Sequence, residues 1–124
     1  MIIRIYTGDD GQSHIEDLDT PFGETGRVSV KQAIVRKSVA GRVFEGNAPF
    51  RHYDITIAGG MEMEVPDGTK RRLGPGDILF AEDLTGPGHI GRINADQDRV
   101  YILVPLEDQP PEGEDAYKKL LTGM

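Results

Sequence analysis

The stretch FRHYDITIAGG, Phe50 to Gly60, alternates in character along its length. Tyr53, Ile55 and Ile57 are large and apolar, whereas His52, Asp54, Thr56 and Ala58 are polar or small. A period of two marks a β-strand, whose successive side chains leave opposite faces. The Gly59-Gly60 pair that follows is a turn signal. The even side is either a solvated face or a pocket wall that holds a histidine beside an aspartate. The function of the chain turns on that choice.

Outward from this strand, almost everything up to Leu106 reads as strand and turn. IIRIYT and SHIEDL are short strands around the turn-rich GDDGQ, and RVSVKQAIVRKSV is β-branched without a helix start signal, which predicts one long or bent strand. GRVFEG precedes the bend GNAP, and MEMEV places Met61, Met63 and Val65 on one face with Glu62 and Glu64 on the other. Asp67-Gly68 is a hairpin signal, because it readily supplies the positive φ angles of a tight turn. DILFAE, HIGRINA and RVYILVPL complete the set, and the near-continuous apolarity of the last predicts a strand covered on both faces. After EDQPPEGE, the segment DAYKKLL predicts a short helix with Asp115 near its N-terminus. About nine short strands with glycine and proline turns predict an all-β sandwich or barrel with mainly antiparallel pairing.

The 124 residues fit a single domain, since domains typically run to about 100–150 residues. With 37% hydrophobic residues and a mean hydropathy of −0.41, the composition is that of a soluble globular protein. A net charge of −7 argues against nucleic acid and anionic membrane surfaces as partners, since both demand clustered Lys and Arg. The absence of cysteine excludes disulfides, thiolate ligands and a cysteine nucleophile. The apolar runs in MIIRIYTGDDG and YILVPL are too short for a signal peptide or a membrane span, so the cytoplasm is the expected compartment.

The stretch RRLGPGDILFAEDLTGPGHIGRIN carries PGDILF, then Leu84, Gly86, His89 and Asn94. In this it resembles the second signature of the cupins, small jelly-roll barrels whose two signature strands meet in the lumen. The resemblance spans about residues 41–106, leaving 107–124 as a tail with the short helix. It implies an antiparallel jelly-roll barrel in one domain, a small-molecule ligand and a homodimer. It also implies that Gly46, Ala48 and His52 occupy the first signature's ligand positions and face the lumen. Gly46 and Ala48 offer no side-chain donor, so the family's usual metal set is not spelled out here. If the strand is regular through the bend, its period carries Phe50, Asp54 and Thr56 to the lumen side as well.

His52 and Asp54 leave one face about 6.5–7 Å apart at the backbone, close enough for the carboxylate to reach an imidazole nitrogen. It would orient the ring and favour its charged form, making a better base. The leading expectation is metal-independent proton transfer of lyase or isomerase type, with no cofactor. His52 is its base, Asp54 the orienting carboxylate, Phe50 a substrate wall, His89 a second polar group and Gly46 part of the binding surface. Departures from the similar cupins cluster on this side, as in a pocket re-purposed by divergence or by design.

Two alternatives stand beside it. His52, Asp54 and His89 have the composition of a facial triad for non-haem iron or a similar divalent transition metal. The same pocket also suits a non-catalytic ligand-binding module. His14 is expected on the surface or an edge strand, outside the site. Glu82 and Asp83, being adjacent, point to opposite faces and are expected to flank a turn.

Overall fold

The computed structural model of the chain describes residues 1–19, 23–24 and 26–123. Ten strands and one helix follow in order: β1 (Ile2–Thr7), β2 (Ser13–Asp17), β3 (Ile34–Ser38), β4 (Val43–Gly46), β5 (His52–Ala58), β6 (Met61–Glu64), β7 (Lys70–Leu73), β8 (Ile78–Glu82), β9 (His89–Ile93), β10 (Arg99–Pro105) and α1 (Pro111–Leu121). They form a six-stranded sheet, β2-β1-β8-β5-β10-β3, and a four-stranded sheet, β4-β9-β6-β7. From β3 onward the chain changes sheet at every connection except the β6–β7 hairpin. This winding, 3-10-5-8 against 4-9-6-7, is a jelly roll. The hairpin turns at Asp67-Gly68, with Gly68 at φ +89°.

Three features depart from the sequence expectation. β1 pairs with β8 in parallel, Ile3 opposite Leu79 and Ile5 opposite Ala81, whereas every other pairing is antiparallel. No hairpin joins β1 to β8, so chain direction there is free of turn geometry. The expected long strand over RVSVKQAIVRKSV shrinks to β3, because its ladder with β10 ends at Ile34 opposite Leu103. Beyond that point a lone bond from Glu107 N–H to Ser29 O replaces a ladder. The helix starts four residues before Asp115, with Pro110 as N-cap and Pro111 in the first turn. Proline at that position gives up an N–H that has no intrahelical partner anyway. Glu112 and Glu114 then sit in the positive first turn and Lys118 and Lys119 in the last. Among the described residues no helix is long and apolar enough to cross a membrane.

The space between the sheets is divided. Ile3 and Ile5 pack with Met61, Met63, Leu73, Leu79 and Ile93 into the main core. A smaller cluster of Phe50, Leu103 and Tyr117 seats α1 against the barrel, with Ala116, Leu120 and Leu121 packed around it. The face of β10 carrying Arg99 and Leu103 is buried, while Val100, Ile102 and Val104 on the other are half-buried. A cavity of about 340 Å³ remains in the barrel, and Met61, Met63, Leu79 and Ala81 belong both to the core and to its floor.

The rim depends on one glycine contact. Gly88, at φ +83°, lies so close to the end of β4 that a Cβ there would stand 2.0 Å from the carbonyl carbon of Gly46. Gly88→Ala is expected to cost about 2 kcal/mol or more. Gly68→Ala, where φ is +89° and a Cβ meets nothing within 4 Å, should cost about 1 kcal/mol. Urea unfolding of both variants checks this, and equal losses would mean that the contact at Gly88 contributes nothing.

Candidate functional site

β5 runs through the middle of the six-stranded sheet, between β8 and β10. Its period turns His52, Asp54 and Thr56 inward, and Ile57 outward with half of its surface exposed. The even-numbered side of His52–Ala58 is therefore interior. Asp54 and Thr56 are 8% and 0% exposed, and His52 and Asp54 both line the cavity.

His52 Nδ1 lies 3.1 Å from Asp54 Oδ1, but the two are not aligned as a hydrogen bond, and each stays without a hydrogen-bond partner. They form a close pair, loosely held. Phe50 stands edge-on to His52 with ring centroids 5.4 Å apart and forms part of the wall. Gly46 reaches the cavity through its backbone alone, at φ +141°, and a Cβ there would meet nothing within 4 Å.

His89 enters from β9, in the opposite sheet, and sits at the core of a better-ordered arrangement than the sequence suggested. Its Nδ1 lies 2.6 Å from Asp83 Oδ2, and Ser13 Oγ donates to the same oxygen at 2.6 Å. A carboxylate can only accept, so the imidazole donates from Nδ1, and Nε2 is the nitrogen available to a ligand. Asp83 is wholly buried, and His89 is 8% exposed. Phe44 stands edge-on to His89 at 6.2 Å, as Phe50 does to His52. Asp83 is thus not simply a residue flanking a turn. Leu79 and Ala81 turn inward along β8, and Asp83 continues their parity, which was the available signal. Glu82 points the other way, as adjacency requires, and pairs with Arg51 at 2.8 Å.

Arg99 escaped the sequence reading altogether. It shares the inward face of β10 with Tyr101 and Leu103, and only 2% of it is exposed. Its Nε and Nη2 donate to Thr56 Oγ1 at 3.2 and 2.9 Å, and Nη1 lies 3.7 Å from Asp54 Oδ2. The guanidinium also stacks 4.2 Å from the centre of the Tyr101 ring. Burial pushes its pKa below the ordinary value, and the Asp54 charge opposes that shift.

The side chains present do not fit the metal set of the cupins. Gly46 and Ala48 bring no donors, and among the described residues no three His, Asp or Glu side chains converge as metal ligands. His52, Asp54 and His89 belong to two separate pairs, and a guanidinium already faces the outer oxygen of Asp54. His14 lies away from the cavity on the edge strand β2, with Nε2 2.9 Å from Asp10 Oδ1.

No family model matches this chain. No curated protein matches it either. Among solved structures, the polyketide cyclase RemF from Streptomyces resistomycificus is 18% identical, over 88% of this chain and 77% of that one, with a TM-score of 0.49. The EutQ protein of Clostridium difficile is 14% identical over 82% and 92%, with a TM-score of 0.42. A protein from Neisseria meningitidis is 11% identical over 70% and 90%, with a TM-score of 0.47. The strand order, and not these likenesses, identifies the jelly roll.

Two measurements check the site. In Asp83→Ala both charge-assisted bonds are lost, so stability should fall by about 1–3 kcal/mol. Nitrogen NMR should also show His89 leaving its Nδ1–H tautomer, and an unchanged tautomer would remove Asp83 as its anchor. The second concerns His14. The Asp10 hydrogen bond raises its pKa above the ordinary 6.5, and burial opposes the shift. Its stabilisation is therefore complete below pH 6.5 and is lost as pH rises through the folded-state value. Asp10→Asn should return the proton NMR titration of His14 toward 6.5.

Proposed function

We propose that the cavity carries out metal-independent proton transfer on a small molecule, of isomerase or lyase type, on a barrel of cupin kind. The observation that carries this reading is the presence in one cavity of two histidines, one from each sheet, each with a carboxylate beside it: Asp54 on the cavity wall and Asp83 buried behind His89. His89 is the better-anchored base. Its Nε2 takes a proton from a carbon acid while Asp83, fixed through Nδ1–H, stabilises the imidazolium that forms. The electron pair of the broken C–H bond passes into the substrate's acceptor group or expels a leaving group. His52, the base expected from the sequence, works from the other wall with Asp54 beside it. It returns a proton to the neighbouring carbon in an isomerisation, or to the departing group in an elimination. Phe44 and Phe50 stand edge-on to the two rings and line the same cavity, where they would offer apolar walls to a flat substrate.

General-base catalysis is worth about 10²–10⁴ in rate. With an activated carbon acid as substrate, His89→Gln and Asp83→Asn should each lower kcat/KM by roughly that range, with folding checked by thermal melting. His52→Ala and Asp54→Asn should do the same for a substrate that needs a proton returned. Activity should survive exhaustive chelation. Full activity in all four variants would leave a ligand-binding module, and loss on chelation would restore a metal.

A further inference from the structure

We infer that the cavity selects anionic ligands, and that a patch of Arg36, Ser38, Arg99 and Tyr101 receives the negative group. β3 and β10 lie side by side, with Arg36 opposite Tyr101 and Ser38 opposite Arg99. Directly opposite residues in a ladder share a face. Here that face is the cavity's, since all four side chains line it. The patch joins a buried guanidinium, a hydroxyl, an aromatic ring and a second guanidinium at the mouth.

The charge balance points the same way. Arg36, Arg42 and Arg99 line the cavity against Glu45 and Asp54, three positive groups to two negative, inside a chain whose net charge is −7. Among the described residues no carboxylate pairs with Arg36 or Arg42, while other arginines hold partners, as Arg51 holds Glu82 and Arg92 holds Glu62 and Glu64. Arg99 has five N–H donors, and its protein contacts, Thr56 and a carboxylate oxygen 3.7 Å away, leave some of them open. A planar anion such as a carboxylate or an enolate fits a guanidinium fork in two parallel hydrogen bonds. The apolar walls of Phe44, Met61 and Met63 then suit the remainder of the molecule.

In the proton-transfer reading on which this rests, an anion anchored at β3 and β10 sets the reacting carbon against the histidines. An enolate formed there would also gain from the nearby arginines. The ligand class is therefore a small, flat organic anion. A cavity of about 340 Å³ lies near the lower end of the roughly 300–1,000 Å³ common for small-ligand sites.

Three probes of nearly equal size and different charge test it: benzoate, benzamide and benzylammonium. Calorimetric titration of the full chain at low salt should find benzoate bound about tenfold more tightly than benzamide. Benzylammonium should bind more weakly than either. Arg36→Ala and Arg42→Ala change exposed side chains, so they should fold normally. Each should weaken benzoate about threefold or more while leaving benzamide unchanged, with the preference shrinking as salt is added. Equal binding of benzoate and benzamide, no binding of benzoate, or indifference of benzoate to both variants would overturn the inference. Failure here is separable from failure of proton transfer, because the binding equilibria need no turnover and leave His52 and His89 intact. Variants at the histidines that kept full activity would sink the catalytic reading and leave the anion preference standing.

Discussion

A carboxylate turned into the interior of a barrel must be met by donors or by a cation, since burying its charge alone costs several kcal/mol. Asp54 and Asp83 answer that demand differently, and the site is organised around the difference. Asp83 places one oxygen between the Ser13 hydroxyl and the His89 ring, both at 2.6 Å. Those two donors come from β2 and β9, so one buried charge fastens the N-terminal strand pair to the far sheet. Asp54 instead lies between His52 at 3.1 Å and Arg99 at 3.7 Å, with poor alignment on one side and a long reach on the other. A tight carboxylate sets a ring in place. A loose one leaves room for exchange with a ligand.

The apolar residues make that possible without collapsing the cavity. Met61, Met63, Leu79 and Ala81 pack downward into the core and also face the open space. The floor is therefore continuous with the core, and on the walls His52, Asp54, His89 and Arg99 are all held by strands. Helix α1 adds a brace from outside, since Tyr117 packs with Phe50 and Leu103, both of which line the cavity.

How far the sequence foretells this depends on which physical rule governs each residue. Strand parity reads well where one face is wholly interior, as from His52 to Thr56 and from Met61 to Val65. It reads just as well at Asp83 and Arg99, which keep step with Ala81 and Tyr101. A charged residue at a strand end is easily taken for a turn or surface group, and a partner brought by another strand is invisible in the local pattern. Asp83 is interior because Ser13, 70 residues away, and His89 meet it there. Arg99 is interior because Thr56 and Asp54 receive it. The misplaced start of α1 has a different cause. The pair Pro110-Pro111 reads as a break in the chain, whereas a proline in the first turn is itself a helix start. The ladder of β3 with β10 stops at Ile34 opposite Leu103, although β10 itself runs on, with Val104 and Pro105 paired to Tyr53 and His52 of β5 on its other side.

The charge of the whole chain and the charge of its cavity oppose each other, and distance decides between them. At physiological ionic strength exposed charges are screened beyond about 8 Å. The net charge of −7 comes mainly from exterior carboxylates, since among the described acidic residues only Asp54 and Asp83 are buried. It acts on an approaching anion only weakly, except at very low salt. Inside the cavity the screening solvent is thin, and groups a few ångströms apart interact far more strongly. An anion that reaches the mouth therefore feels Arg36 and Arg42 first, then Arg99, and the overall acidity acts mainly on the rate of approach. That separation lets a strongly acidic protein hold a site for negative ligands. It also gives Asp54 a second use, because by facing Arg99 it keeps the buried guanidinium from standing uncompensated while the cavity is empty.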